Sequence, residues 1–219
     1  MALAAGCGRQ PVASVWVTTG DERKLLAHEP DVSFSTKTST SLPTIVVDDS
    51  TYQEMVGFGA AITDASAINI NRLDSLAREG LLRDLFDPDS GIGLSFTRLT
   101  IGASDFSPRH YSFDDMPPGQ RDPGLTRFSI EPNRSDVLPV VQRALAINPQ
   151  LKVMASPWSA PGWMKTSGSL IKGTLWPNAY GLFAKYLVRY VDAYDSLGVP
   201  IYALTVQNEP HIEPHAGIV

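Results

Sequence analysis

The sequence has a single cysteine, Cys7, so no disulfide can form within it. It has no apolar run near the roughly 18 residues that span a bilayer. Its net charge is -5, with no basic stripe to displace phosphate counterions, which argues against nucleic-acid binding. The acids are scattered rather than blocked, which excludes an acidic tail. What remains is globular: 43% of residues are hydrophobic and 19% charged, enough to bury a core. The length, 219 residues, suits one sizeable core and a small appendage. Gly and Pro, 17 each, suit an architecture with many loops.

Residues 1–11 read as a processing remnant or tail. Leu3-Ala4-Ala5-Gly6-Cys7 resembles the end of a bacterial lipoprotein signal, where the cysteine takes a lipid anchor. The basic and apolar parts that precede such a site are missing, and a chance Ala/Gly-rich start is the other reading. The expected location is secreted or in the cell envelope, with or without that anchor. The sequence does not fix an oligomeric state.

Residues 12–53 carry two short strand-like runs, Ala13 to Thr18 and Ile45 to Asp48, with a Ser/Thr-rich stretch from Ser33 to Ser41 between them. They read as the N-terminal strands of a small β-domain. From residue 54 to 219 strands and helices alternate. Strands are expected at Met55 to Ile62, Leu94 to Ile101, Leu151 to Ala155 and Ile201 to Val206. One helix places Leu73, Leu76, Ala77, Leu81 and Leu85 on a face and stops at Asp87-Pro88. A polar loop runs from Gly102 to Arg134. The next helix repeats Val137, Val140, Val141, Ala144 and Leu145 at helical spacing, with Ser135 or Asp136 as its cap. The last runs from Asn178 to Leu197 on a stripe of Tyr180, Phe183, Ala184, Leu187, Val191 and Tyr194, stopped by Gly198.

The order β-α-β-α-β-α-β, with right-handed crossovers, makes the strands parallel. The fold class is α/β: a doubly wound sheet or the first part of a (β/α)8 barrel. Polar residues of interest all follow strands. Asp64 comes after the first, Arg98 sits late in the second, Trp158 comes after the third, and Asn208 and Glu209 end the fourth. In a barrel such strand ends converge on one rim, where active sites form.

Glu209 leaves an apolar strand just before Pro210. Burial and negative neighbours favour a protonated carboxyl, which is how a glutamate becomes able to protonate a leaving oxygen near neutral pH; the alternative is a structural hydrogen-bonding Glu. Asn208 could hydrogen-bond a sugar 2-hydroxyl or simply form a turn before proline. Trp158 and Trp163 could offer flat faces and indole donors to a sugar, or roof the core. Asp64 could accept from sugar hydroxyls or cap the helix that follows. Arg98 could orient carboxylates or serve a structural ion pair.

Four segments in order resemble glucosylceramidases and the wider glycoside hydrolase family 30. They are Gly57-Phe58-Gly59-Ala60-Ala61-Ile62-Thr63-Asp64-Ala65; Ser95-Phe96-Thr97-Arg98 with Ser104-Asp105-Phe106-Ser107; Ala155 to Lys165; and Thr205-Val206-Gln207-Asn208-Glu209-Pro210. The likeness covers roughly residues 45–213. It implies the first four βα units of a TIM barrel beside a small β-domain. It implies retaining cleavage of a β-glucosidic bond without metal or cofactor. It makes Glu209 the acid/base, with Asp64, Trp158 and Asn208 as substrate contacts and Arg98 and Trp163 in support. The implied substrate is glucosylceramide, giving glucose and ceramide; a β-1,6-glucan or another glycan is the alternative. The family's nucleophile follows a seventh strand, and none is expected in this chain, since Glu213 lies on the same loop as Glu209. The chain alone is therefore expected to be inactive and to fold poorly.

Rival readings are weaker. After Gly57-Phe58-Gly59 the third glycine of a dinucleotide fingerprint is replaced by Ile62. His211 and His215 flank Glu213 at metal-like spacing, but Pro214 interrupts the helix they would need. His28 and His110 have no partners at ligand spacing. A non-catalytic carbohydrate-binding remnant would keep Trp158 and Asp64 and bind sugar without cleaving it.

Overall fold

The computed structural model describes residues 11–36, 41 and 43–210; Cys7, His211, Glu213 and His215 lie outside them. The chain divides into two compact units, Met1–Gln53 and Glu54–Val219.

In the first unit β1 (Val12–Val17) pairs antiparallel with β2 (Ala27–Ser33). Trp16 lies opposite His28, their rings 4.8 Å apart. The pattern reading missed β2, because Glu29, Pro30 and Asp31 are poor strand formers. Proline is tolerated there since the pair has two open edges. The strand expected at Ile45 to Asp48 is absent. That segment is non-regular, and Ile45, Val46 and Val47 are 77–92% exposed. Apolar alternation makes a strand only where a partner completes its ladder, and among the described residues none does so there.

The second unit holds a parallel four-stranded sheet, in sequential order β3 (Gly59–Ile62), β4 (Phe96–Ile101), β5 (Lys152–Pro157) and β6 (Ile201–Leu204). The order never reverses, so the sheet has no switch point of the doubly wound kind. Along β4 and β5 burial alternates: Thr97, Leu99, Val153 and Ala155 are buried, whereas Phe96, Arg98, Lys152 and Met154 are half-open. One face is thus covered by helices and the other is not. β3 and β4 approach closely because residue 59 is glycine; a Cβ there would lie 1.3 Å from the Phe96 carbonyl oxygen.

Where one helix was expected before β4 there are two, α1 (Asp64–Arg72) and α2 (Ser75–Phe86). Asp74 causes the break. Its carboxylate accepts from Leu76 N at 3.0 Å and Ala77 N at 2.9 Å, which starts a new helix. The face also differs: Leu82 and Phe86 are buried and Leu76 is exposed. The loop to α4 contains a short helix, α3 (Glu131–Arg134). α4 (Val137–Ile147) buries Val137, Val140, Val141 and Ala144, as its periodicity reads. Its expected cap is not formed. Ser135 Oγ donates to Asp136 Oδ2, and Asp136 in turn accepts from Asn71.

α5 (Tyr180–Asp195) is rotated from its expected stripe: Phe183, Tyr186, Leu187, Tyr190 and Tyr194 are buried, and Tyr180 is exposed. The β4–α4 loop causes this by packing on the helix. Phe113 N donates to Tyr186 Oη, and Tyr194 Oη donates to Asn133 Oδ1. Gly198, at φ +75°, then turns the chain into β6.

Candidate active site

Beyond β6 the chain keeps following β5. Thr205 N donates to Ala155 O at 3.0 Å, and Asn208 N to Pro157 O at 2.8 Å. Ser156 and Thr205 join their hydroxyls at 2.6 Å, and Gln207 Nε2 donates to Trp158 O at 2.7 Å. These bonds deliver Asn208 beside the end of β5. Arg98 reaches across from β4 on the uncovered face. Its Nη2 donates to Asn208 Oδ1 at 2.6 Å, and its guanidinium carbon lies 4.6 Å from the centre of the Trp158 ring. Burial lowers the Arg98 pKa, and the Glu209 carboxylate works against that shift. Arg98, Trp158, Asn208 and Glu209 therefore form one cluster at the C-terminal rim of β4, β5 and β6.

Glu209 departs from its expectation in two respects. It is exposed, because the open sheet face leaves its side uncovered, and the charge acting beside it is the Arg98 cation rather than a carboxylate. Its backbone sits at φ +44°, a left-handed conformation that costs a non-glycine residue on the order of 1 kcal/mol or more.

Asp64 follows β3 at the same rim, yet its carboxylate turns elsewhere. It is 6% exposed and accepts from Tyr111 Oη at 3.1 and 3.0 Å. It is not the helix cap; Thr63 Oγ1 is, accepting from Ser66 N. Burial raises the Asp64 pKa, opposed by hydrogen bonds from Ser107 and Tyr111. The chain of bonds continues inward: Asn133 Nδ2 donates to Tyr111 Oη at 2.9 Å, and Tyr194 Oη to Asn133 Oδ1 at 2.8 Å. Asp64 lines a cleft of about 450 Å³ with Ile68, Arg109, Tyr111, Glu131 and Asp136, none of them from the Arg98 cluster. Trp163 is also apart from that cluster. Its indole Nε1 donates to Asp114 O at 2.9 Å within a 3₁₀ turn, Gly162–Met164.

Sequence reasoning missed Tyr111, Asn133 and Asp114, all in the segment read as a polar loop. Tyr111, Phe113 and Phe128 are aromatic enough in spacing to have signalled a packed loop. Among the described residues no group of three or more His, Cys, Asp or Glu is placed to hold a metal ion.

The sequence profile of the glycosyl hydrolase family 30 TIM-barrel domain matches residues 55–217. The chain belongs to glycosyl hydrolase family 30. Within family 30 the chain is 37% identical over 185 residues to endo-1,6-beta-D-glucanase neg1 of Aspergillus fumigatus, covering 76% of this chain and 38% of the relative. It is 32% identical over 205 residues to putative glucosylceramidase 4 of Caenorhabditis elegans, covering 90% of this chain and 38% of the relative. Among solved structures, the endo-beta1,6-glucanase BT3312 superposes with a TM-score of 0.75 at 33% identity, over 90% of this chain and 43% of that one. SrfJ from Salmonella typhimurium gives 0.80 at 28% identity, over 92% of this chain and 44% of that one. The chain thus spans little more than a third of the length of these curated relatives.

Proposed function

We propose that the protein carrying this chain is a retaining glycoside hydrolase that cleaves a β-glucosidic bond, with the four-stranded sheet forming the first four βα units of a (β/α)8 barrel. The gathering of Arg98, Trp158, Asn208 and Glu209 at one strand-end rim carries this reading. Glu209 protonates the glycosidic oxygen as the bond breaks. A second carboxylate, about 5–5.5 Å away, attacks the anomeric carbon, and Glu209 then takes a proton from the water that frees the glycosyl group. Glu209 is the carboxylate whose charge acts on Arg98, and the nucleophile's role is assigned to none of the described residues.

Arg98 has a defined part in this scheme. By donating to Asn208 Oδ1 it leaves the Asn208 Nδ2 hydrogens to point at a sugar 2-hydroxyl. The same guanidinium covers one side of the Trp158 ring, an attraction of about 1 kcal/mol that steadies the indole. Asp64 follows β3 at the same rim, but its carboxylate is buried on Tyr111, so its contact with a further sugar hydroxyl requires it to turn from that partner.

Glucosylceramide is one substrate reading, and the similarity to glucosylceramidases favours it. A β-1,6-glucan is the second, favoured by 37–39% identity to endo-1,6-beta-D-glucanases. Changing Glu209→Gln in the intact protein tests the scheme for either substrate. Hydrolysis of a poor-leaving-group glucoside should fall by about 10²–10⁴-fold, the usual contribution of a general acid, while an aryl glucoside with an activated leaving group should still form the glycosyl-enzyme. An unchanged rate on the poor leaving group removes Glu209 from this role. Sugar binding with no hydrolysis by the wild type would instead indicate a carbohydrate-binding protein.

A further inference from the structure

Two rim loops enclose a second cleft, of about 560 Å³, whose walls include Asp115, Gln120, Arg121, Trp163 and Trp176. Both loops leave the C-terminal ends of strands, one after β4 and the other after β5. Trp163 is five residues beyond Trp158, so their Cα atoms lie within about 17 Å, the reach of five extended residues. Lys165 ties the two regions together: its Nζ donates to Ser159 Oγ at 2.8 Å and to Leu170 O at 2.9 Å.

The cleft is preformed. In the β5 loop, Lys165 bridges Leu175, and Thr166 N donates to Thr174 O at 2.8 Å. Ser167 Oγ donates to Ser169 O and Lys172 O, and Gly173 sits at φ +80° where a Cβ would meet Ser167 Oγ at 2.5 Å. Trp176 N is held by Met164 O at 3.0 Å. In the opposite wall Ser112 donates twice to Asp115, through N at 2.9 Å and Oγ at 2.6 Å. Pro117-Pro118-Gly119 then turns the chain, with Gln120 N bonded to Pro117 O. Little ordering entropy is left to lose when a ligand enters.

We propose that this cleft is an additional sugar subsite, binding glucosyl units of a β-linked glucan chain beyond the bond that is cleaved. Two indoles offer flat apolar faces to the C–H faces of pyranose rings. An amide, a carboxylate and a guanidinium beside them supply both acceptors and donors for hydroxyls. The volume is within the range of ligand pockets. A ceramide tail would need a continuous aliphatic wall, and here the aliphatic side chains of Met116, Pro117, Pro118 and Leu170 share the lining with polar and charged ones, Asp115 and Arg121 among them. That the occupant is a glucan rests on the glycosidase reading above, and it selects glucan over glycolipid within that reading.

The test titrates the intact protein carrying Glu209→Gln with β-1,6-linked glucose oligomers of two to six units in a calorimeter. Kd should fall at least tenfold as the oligomer lengthens, and Trp176→Ala should abolish that fall. Trp176 is part-exposed at 39%, and Gln120→Ala is a second variant should Trp176→Ala disturb the loop. A Kd independent of length, or a length effect that survives both substitutions, overturns the subsite. Hydrolysis by the wild type is scored separately: no cleavage of any oligomer or of glucosylceramide defeats the glycosidase reading, while length-dependent binding lost in Trp176→Ala would still establish the cleft.

Discussion

Asp114 sits in a costly environment for a carboxylate. It is 1% exposed, and both carboxylate oxygens lack a hydrogen-bond donor. Burial, and then the charge of Asp122, push its pKa up to about 6. Asp122 is better served: burial disfavours its charge, but Arg127 N at 2.7 Å and the Thr126 hydroxyl more than compensate, so its pKa is lowered. Asp115, Tyr186 and Trp163 complete the polar surroundings. Asp114 therefore binds a proton more tightly folded than unfolded. Its stabilising effect is complete below the unfolded value near 3.8 and is lost as pH rises through about 6. The loss is of order 3 kcal/mol by linkage. Urea melts of the intact protein at pH 4 and pH 7 should show stability falling with pH by an amount that Asp114→Asn reduces. Asp64, also raised by burial, contributes in the same direction and remains in the variant. An equal pH dependence in both proteins would show that Asp114 is solvated.

At the scale of elements, α5 separates what the sequence discloses from what it does not. Its existence and its stop at Gly198 follow from helical spacing and a left-handed glycine. Its buried face does not, because the β4–α4 loop that covers it carries no periodic signal. Tyr180 and Tyr194 were expected on one stripe, and they separate them well: Tyr194 is fully buried with its hydroxyl on Asn133, and Tyr180 is 59% exposed. Tyr194→Phe should lower stability by about 1–3 kcal/mol, since Asn133 Oδ1 would lose its donor inside the protein. Tyr180→Phe should change it by less than about 0.5 kcal/mol. Equal effects in thermal melts would restore the simple stripe. The same reasoning explains the candidate site. Strand-end motifs identified Arg98, Trp158, Asn208 and Glu209, because each sits next to an apolar run. The Tyr111–Asn133–Tyr194 support of Asp64 was hidden, because it comes from a loop and two helices far apart in sequence.

For the whole molecule, the decisive feature is the uncovered face of the parallel sheet. Parallel sheets are ordinarily covered on both faces, yet here one face holds Phe96, Arg98, Lys152 and Met154 at intermediate burial. Phe58, Tyr202 and Val206 are 53–69% exposed beside it. Phe96 and Tyr202 meet edge-on with ring centres 6.2 Å apart, and the Lys152 ammonium lies 4.5 Å from the Tyr202 ring centre. These contacts shield part of the apolar surface and leave the rest to water. β3 and β6 are the outer strands of the four and present unpaired backbone groups, a template for association. An isolated polypeptide of residues 54–210 should therefore self-associate and bind an apolar-surface dye, even where its helices give a normal far-ultraviolet signal. Sedimentation velocity across a concentration series measures this directly. A sharp monomeric boundary with no dye binding would mean that the open face is shielded by a rearrangement of the strands and loops. Tyr202→Lys should then tell the two cases apart: it should lower association if the face is bare, by adding charge beside Lys152, and leave a shielded monomer unchanged.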